Sequence, residues 1–326
     1  MIGDQKNRGT LRRLLAYPGV GVLIALILFI AAVSIISPMV TGGRFLTWTN
    51  IINVFRQQTY VGIIACALTL VIITGNIDLS VGSQLTLMTV LCAQWSHSAG
   101  DMAIPLTLLT GVICGLANGL IVSGFQLNAF IATLGTGSIY GALALIFVSG
   151  HTVRSSTALF EFIGAGSLFN FIPVPVAVLV VVAVVFAFTL SRTVYGQRLY
   201  AIGANPIAAR FSGVKSRREV AVAYTLTGLC CSLAAVLLIA RSVSANPQIG
   251  AGKEMEIILA VVLGGTSILG GKGSVWGTVV GFLFIGFMSS GFTFLAFNTY
   301  MQWIVMGAIL LAALAIDVIG DRRSRQ

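Results

Sequence analysis

The sequence predicts an all-α polytopic membrane protein with about ten transmembrane helices, some of them broken. Of its 326 residues, 57% are hydrophobic and only 9% are charged, whereas soluble domains carry about 25% charged residues. The mean hydropathy is +1.00. Apolar runs close to the ~20 residues that cross a bilayer alternate with short polar stretches along the chain. We therefore interpret residues 1–326 as a single transmembrane domain.

The distribution of positive charge predicts which polar segments face the cytoplasm. Lys and Arg resist translocation, so basic loops stay on the cytoplasmic side. An N-terminal segment at 1–17, a loop at 191–219 and a tail at 320–326 are all basic. With these segments and Lys272 inside, 14 of the 19 basic residues are cytoplasmic. Both termini are then predicted to lie in the cytoplasm.

The first half of the chain contains a predicted break between two short apolar stretches. A first span is expected at 19–36, because no small-x-small cleavage site follows it, and residues 38–57 are expected to be external. The stretches 60–74 and 79–95 are shorter than a usual span, and the turn Gly75-Asn76-Ile77-Asp78 separates them. Irregular backbone is tolerated at membrane depth only where protein or a cavity surrounds it. We interpret this region as a broken helix pair.

Seven further apolar runs complete the prediction of ten helices. Glycines at four-residue spacing in the fourth span would give it a smooth face for close helix packing. Residues 71–83 and 261–274 each run from an aliphatic stretch through a Gly-rich turn towards another span, which suggests an internal repeat. The seven runs are 103–122, 130–148, 173–190, 220–240, 257–269, 275–297 and 300–319.

The basic loop is also patterned. Asn205-Pro206 predicts a helix start, because Asn caps helices and Pro suits their first position. The helix is expected over 207–212 and is expected to end at Gly213. Its apolar side chains would share one face, away from Arg210. Such a helix suits a soluble partner, and the alternative is a plain basic loop that fixes topology and contacts lipid headgroups.

Three acidic residues and several polar ones are candidates for the transport pathway. Asp78 either marks a pathway or hinge, since a buried acid is costly, or caps the following helix. Glu254 and Glu256 are predicted at the outer mouth of the eighth span, as partner contacts, as one half of a gate pair, or as acids at a solvated helix N-terminus. Asn128 and Thr133 could bind a polyol or hydrogen-bond between helices.

The sequence also excludes several kinds of site. Gly271-Lys272 lacks the spacing of a phosphate loop. His97 and His151 are the only histidines, and the five cysteines lie in apolar runs without metal-ligand spacing. Basic residues are not interleaved with aromatic ones, so a nucleic acid partner is not expected. We predict no catalytic residue, no metal, no bound cofactor and no enzyme activity.

Four motifs form a specific set. They are 74–83 (TGNIDLSVGS), 129–135 (AFIATLG), 200–214 (YAIGANPIAARFSGV) and 261–273 (VVLGGTSILGGKG). In this order and spacing they resemble the membrane permease subunits of ribose-type ABC sugar importers, and the similarity covers roughly residues 45–319. Asn76 and Ala204 stand where that family has Gly, and Glu256 stands where Asp is usual.

The resemblance implies a multi-pass subunit of a bacterial inner membrane that translocates a ribose-like pentose, a hexose or a related polyol. The implied partners are a second permease protomer (the same or a different chain), a cytoplasmic ABC ATPase that binds ATP and Mg, a periplasmic sugar-binding protein and membrane lipid. The resemblance assigns coupling to the ATPase to Gly196, Asn205, Pro206, Ala208, Ala209 and Gly213, and we predict Arg210 to act with them. We predict the translocation pathway or hinge at Asp78, Ser80, Gly82, Ser83, Asn128, Phe130 and Thr133.

Two other classes of transporter are alternatives to an ABC sugar permease. A permease of similar architecture could carry branched-chain amino acids or another small solute. An ion-coupled secondary transporter usually holds paired ionisable groups deep in its spans. In this sequence only Asp78 and Asp317 come close, and both lie near predicted span ends.

Overall fold

The computed structural model describes residues 20–155, 157–168 and 171–324. The predicted cytoplasmic segment 1–17 and the last two residues of the predicted tail lie outside the described residues. The helices are α1 (Val20–Thr41), α2 (Trp48–Ile73), α3 (Val81–Ala99), α4 (Ala103–Gly119), α5 (Ala129–Phe147), α6 (Ala158–Ala165), α7 (Val174–Arg192), α8 (Val194–Ala204), α9 (Pro206–Phe211), α10 (Ser216–Ser242), α11 (Lys253–Leu263), α12 (Val275–Phe294) and α13 (Thr299–Ser324).

Four two-residue strands are the only β-structure among the described residues. They are β1 (Val153–Arg154), β2 (Ser167–Leu168), β3 (Ile172–Pro173) and β4 (Ser244–Ala245). β1 pairs with β4 and β2 pairs with β3, both antiparallel. The β1–β4 pair ties the segment after α5 to the segment after α10 at one end of the helix bundle.

Seven helices of the described chain are long and apolar enough to cross a membrane. This confirms the all-α polytopic class, but it does not confirm the predicted count of ten. One of the seven is the 44-residue stretch Val81–Gly124, which contains α3 and α4. Gly100 lies between these two helices with φ +58°, and α11, with 11 residues, is too short to span a bilayer.

Helix α10 lies at the centre of the bundle and packs against α2, α3 and α4. The predicted glycine face of α4 meets it directly. A Cβ on Gly111 would lie 2.5 Å from the carbonyl oxygen of Gly228, and a Cβ on Gly115 would lie 2.5 Å from that of Tyr224. The glycines therefore allow the two backbones to approach more closely than any larger residue would permit.

The start of α2 differs from the sequence prediction. Residues 48–57, predicted to be external, are part of the 26-residue helix Trp48–Ile73. Thr47 caps this helix by accepting a hydrogen bond from the backbone N–H of Asn50. The Asn50 side chain donates to the carbonyl of Phe45 at 2.9 Å and accepts from the hydroxyl of Ser290 at 3.0 Å. The polar residues of this stretch therefore predict a loop, but in the structure they belong to a helix that tertiary hydrogen bonds stabilise.

Candidate translocation and coupling sites

The basic segment 191–219 is largely helical, because α7 continues to Arg192 and α10 begins at Ser216. Its short helix α9 spans Pro206–Phe211, one residue earlier than predicted. The side chain of Asn205 accepts hydrogen bonds from the backbone N–H of Ile207 at 3.1 Å and of Ala208 at 3.0 Å. Gly213 follows with φ +83°, a conformation that terminates helices and favours glycine.

Helix α9 presents an apolar and basic surface to the outside. Ile207 is 70% exposed and Phe211 is 89% exposed, whereas Ala209 is buried and anchors the helix to the protein. Ala208 is exposed as well. A cavity of about 1040 Å³ lies beside α9 and is lined by four cationic residues, Arg210, Lys215, Arg217 and Arg218. This surface suits a protein partner that has an apolar pocket with an acidic rim.

Three contacts fix the orientation of helix α8, which precedes α9. Arg198 forms an ion pair of 2.8 Å with Glu219, and Tyr195 donates to the carbonyl of Glu219 at 3.2 Å. Tyr200 donates to the carbonyl of Gly273 at 2.8 Å. Burial raises the pKa of the Tyr200 hydroxyl, so this group remains a protonated donor. At the start of α8, a Cβ on Gly196 would lie 2.4 Å from the carbonyl oxygen of Leu190.

The end of α8 meets two glycine-rich turns. A Cβ on Gly203 would lie 1.9 Å from the carbonyl oxygen of Ile73, the last residue of α2. The same carbonyl accepts a hydrogen bond of 2.8 Å from the N–H of Gly271. Sequence reasoning placed Gly203 and Gly271 in separate motifs and did not anticipate this junction. The only local signal is the cluster of glycines at 264–265, 270–271 and 273 in the second motif, and Gly203 stands alone in the first.

Asp78 is buried at the centre of a polar network. Its side chain, 1% exposed, accepts hydrogen bonds from the backbone N–H of Ser80 at 2.9 Å and from its hydroxyl at 2.6 Å. Asn118 of α4 donates to the Ser80 hydroxyl at 2.7 Å, and Tyr140 of α5 donates to the Asn118 side chain at 3.1 Å. The carboxylate therefore orders the start of α3 and is linked to two neighbouring helices.

Two further hydrogen bonds hold the linker between α2 and α3. The hydroxyl of Thr133 on α5 accepts from the N–H of Leu79 at 3.0 Å. The hydroxyl of Tyr224 on α10 donates to the carbonyl of Ile77 at 3.0 Å. Tyr140 and Tyr224 were not recognised from the sequence, because a tyrosine in an apolar run carries no local sign of its partner.

The remaining predicted pathway residues lie in two places. Gly82 and Ser83 are in the first turn of α3, close to the Asp78 network. Asn128 lies at the start of α5, where its side chain accepts from the N–H of Phe130 at 2.9 Å. The Phe130 side chain is 51% exposed on the outside of the bundle. Within the described chain, neither Asn128 nor Phe130 forms a hydrogen bond with Asp78 or Ser80.

Glu254 and Glu256 lie in the first turn of α11. Glu256 pairs with Lys253 at 2.6 Å, and the Lys253 ammonium lies 5.5 Å from the centre of the Tyr60 ring. A Cβ on Gly82 would lie 2.3 Å from Oε2 of Glu254. Glu254 therefore faces α3, whereas Glu256 and its partner Lys253 lie beside α2, and that basic partner is on the same helix as Glu256.

A family model for branched-chain amino acid transport system / permease component matches residues 50–314. The chain belongs to this permease family. The matched range contains the α8–α9 segment, the Asp78 network and α11. Within the part of the permease that the structure describes, no cluster of His, Cys, Asp or Glu side chains could hold a metal ion.

Several curated relatives of this permease are similar over most of their length. The ribose import permease protein of Bacillus subtilis (strain 168) is 38% identical over 301 residues, which cover 91% of this chain and 92% of the relative. The fructose import permease protein of Rhizobium meliloti is 33% identical over 308 residues, covering 90% and 84%. The D-allose transport system permease protein of Escherichia coli (strain K12) is 33% identical over 276 residues, covering 84% of both. No solved structure matches the chain.

Proposed function

We propose that this permease is the membrane-spanning subunit of an ATP-driven importer that translocates a monosaccharide. The observation that carries the proposal is α9, a capped helix whose apolar face and surrounding cations are exposed. The relatives named for ribose, fructose and allose import support a pentose or hexose as substrate.

In this proposal a cytoplasmic ABC ATPase binds α9, and its hydrolysis of ATP supplies the energy for transport. ATP and Mg bind to that partner, since this chain has no phosphate-loop motif. A second permease protomer completes the passage, and a periplasmic binding protein delivers the sugar. The coupling residues of the proposal are Gly196, Asn205, Pro206, Ala208, Ala209, Arg210 and Gly213.

Movement of α9 would reach the membrane interior through the junction at the end of α8. Gly203 touches the Ile73 carbonyl, and Ile73 directly precedes the linker that contains Asp78. The close glycine contacts leave little free space, so a shift of α8 displaces the linker rather than being absorbed. The linker and its network, with Asp78, Ser80 and Thr133, would then be the hinge between outward-facing and inward-facing states.

We also propose ten membrane segments in an inner membrane with both termini in the cytoplasm. A helix of 44 residues would be about 66 Å long, roughly twice the thickness of a bilayer core. The positive φ of Gly100 marks the point where Val81–Gly124 would turn back at the membrane surface. Helices α11 and α13 supply two further segments, and the excess of basic residues in 191–219 supports the orientation.

The decisive experiment reconstitutes the permease with its ATPase and binding protein in nanodiscs and compares Phe211→Asp with Phe211→Leu. Because Phe211 is almost fully exposed, neither change should affect folding, as judged by size-exclusion profile and melting temperature. We expect Phe211→Asp to reduce permease-dependent ATP hydrolysis and sugar uptake to the background level, while Phe211→Leu retains most of both. Normal hydrolysis in Phe211→Asp would show that α9 does not couple the two proteins.

A branched-chain amino acid is the second candidate substrate, since the description of the family model refers to such transport. ATP-dependent uptake of labelled ribose, fructose, allose and leucine by the same vesicles separates the two. Uptake of leucine alone would exclude the sugar proposal and leave the ATP-driven mechanism intact.

A further inference from the structure

The segment between β4 and α11 enters the bundle instead of staying at its end. The end of the bundle is marked by the β1–β4 pair, where His97 of α3 is hydrogen-bonded to the carbonyl of Arg154. Gly250 donates from its N–H to the hydroxyl of Thr86 at 2.9 Å. Thr86 precedes His97 by 11 residues of helix, which is about 16 Å.

A second distance gives the same depth. Lys253 lies over the ring of Tyr60 on α2. Tyr60 is 12 residues, or about 18 Å of helix, from Trp48 at the start of α2. Since a bilayer core is about 30 Å thick, the start of α11 lies near the middle of the membrane in the proposed orientation.

The surface of this segment is unusual for such a depth. Gln248, Ala251, Gly252 and Met255 are all exposed, and residues 246–252 have no regular helical hydrogen bonding. Among the described residues, Gln248 bonds through its backbone N–H to the Asn246 side chain at 2.9 Å, and its amide side chain has no hydrogen-bond partner. Turns bond the backbone N–H groups of Ile249 and Ala251, but an unpaired amide side chain costs several kcal/mol in lipid.

Other surfaces at membrane depth look different. The exposed positions of α4 and α7 are apolar, as at Leu109 and Val181, which are 57% and 60% exposed. These faces suit lipid. Irregular polar backbone occurs at this depth only where it is covered by protein or lines a water-filled space. The segment 246–255 is therefore not suited to face lipid.

The half-buried Glu254 carboxylate lies on the α3 side of the same segment. Its oxygen lies against Gly82, where a Cβ would be only 2.3 Å away, so the absence of a side chain at Gly82 admits it. The first turn of α3 offers the positive end of a helix dipole, which offsets part of the charge. No ion pair or hydrogen bond to this carboxylate is found within the described ranges, so it keeps its capacity to accept hydrogen bonds from hydroxyl groups.

We propose that residues 246–255 line the sugar passage between this chain and a second copy of it, with the Gln248 amide and the Glu254 carboxylate as hydrogen-bonding groups for the passing sugar. This inference rests on the proposed function. It moves Glu254 from the predicted outer mouth to the interior of the passage, and it makes Gln248 a specificity-determining residue. Glu256, which is paired with Lys253, stabilises the start of α11 and does not contact the sugar.

The test uses single cysteines in the complete transporter in proteoliposomes. Gln248→Cys, Ala251→Cys and Met255→Cys are compared with Leu109→Cys and Val181→Cys, and the parent chain gives the background from its five cysteines. A charged thiol reagent should modify the first three at least about tenfold faster than the two controls, because the reactive thiolate forms in water and not in lipid. Trapping with ATP and vanadate should change these rates, whereas the controls stay slow.

Two results would overturn the proposal. Reaction of the three cysteines only with an uncharged, lipid-soluble maleimide would place the segment in lipid. Reaction with neither reagent would place it in a dry contact between the two copies. These labelling results are obtained independently of uptake, so a wild-type transporter that fails to take up sugar would refute the proposed function without deciding the position of the segment.

A second variant tests the role of the carboxylate. Glu254→Gln keeps the side-chain volume but weakens the acceptor, and we expect the KM for sugar uptake to rise about tenfold, the loss of one charged hydrogen bond. Assembly with the ATPase, measured by co-purification, controls for misfolding. An unchanged KM in an assembled complex would exclude Glu254 from the passage.

Discussion

At the residue scale, Asn205 offers the most direct test of the coupling helix. Its side-chain oxygen accepts from the N–H groups of Ile207 and Ala208. Asn205→Ala removes this cap, which is worth about 1 kcal/mol of helix stability. We expect α9 to become less ordered and permease-dependent ATP hydrolysis to fall several-fold, while the melting temperature of the whole chain changes little.

Asn205→Asp is the matched control for this prediction. Aspartate accepts the same hydrogen bonds and caps helices equally well, so it should retain most of the hydrolysis. If the Asn205→Ala permease supports as much ATP hydrolysis as the wild type, the cap at Asn205 is unimportant for the function of α9.

Asp78 is predicted to be important for stability, whatever its role in transport. Asp78→Ala leaves the buried N–H and hydroxyl of Ser80 without their acceptor, which costs about 1–3 kcal/mol. Asp78→Asn keeps an acceptor oxygen and should lose less. Thermal unfolding in detergent should rank the chains wild type, Asp78→Asn, Asp78→Ala. Equal melting temperatures for the two variants would mean that the charge, and not the hydrogen bonds, is what matters.

These two residues also show what the sequence can reveal at this scale. The cap at Asn205 and the stop at Gly213 follow from local chemistry, so the short helix was predicted to within one residue. For Asp78 the sequence predicts either a hinge or a cap, but not the network around it. Asn118 donates to Ser80 and Tyr140 donates to Asn118, both from helices that are distant in sequence.

At the scale of elements, the junction between α8 and the end of α2 is predicted to tolerate no side chain. Gly203→Ala would place a Cβ 1.9 Å from the Ile73 carbonyl and 2.4 Å from the Gly271 nitrogen. Both are backbone atoms that cannot rotate away, so we expect a loss of about 3 kcal/mol. The purified variant should melt at a lower temperature and stimulate the ATPase less than the wild type.

Gly135→Ala on α5 is the control for that substitution, because its Cβ would have no neighbour within 4 Å. Alanine there should be neutral or slightly stabilising, by about 0.5–1 kcal/mol. A Gly203→Ala chain as stable as Gly135→Ala would mean that the junction is loose and does not transmit movement.

The elements that sequence reasoning missed share one physical cause. Residues 48–57 did not look helical because they are polar, yet they begin the helix Trp48–Ile73, and Asn50 is bonded to Phe45 and Ser290. Residues 246–252 fall between two predicted apolar runs, and Gly250 there is bonded to Thr86 of α3. In both cases a polar group is bonded to a residue remote in sequence, which the local pattern of apolar and polar residues cannot predict.

At the scale of the whole molecule, the two proposed sites lie at different depths of one bundle. The α9 surface is at one end, close to the junction with Ile73, and the segment 246–255 lies near the middle. The Asp78 linker and Gly82 lie between them, since Gly82 contacts Glu254 and follows the linker directly. A displacement of the linker would therefore reach the proposed passage within one helical turn, which explains how a partner outside the membrane could open and close it.

The exposed residues at the two ends of the bundle allow its orientation in the membrane to be tested. His151 follows α5 and Arg44 follows α1, and both are exposed. Lys215 and Arg217 are exposed at the start of α10. An excess of Lys and Arg holds a segment in the cytoplasm, so we expect cysteines at Arg44 and His151 to react with a membrane-impermeant thiol reagent in intact spheroplasts. Cysteines at Lys215 and Arg217 should react only after permeabilisation. The opposite pattern would place α9 outside, where a cytoplasmic ATPase could not reach it, and would refute the proposed mechanism as a whole.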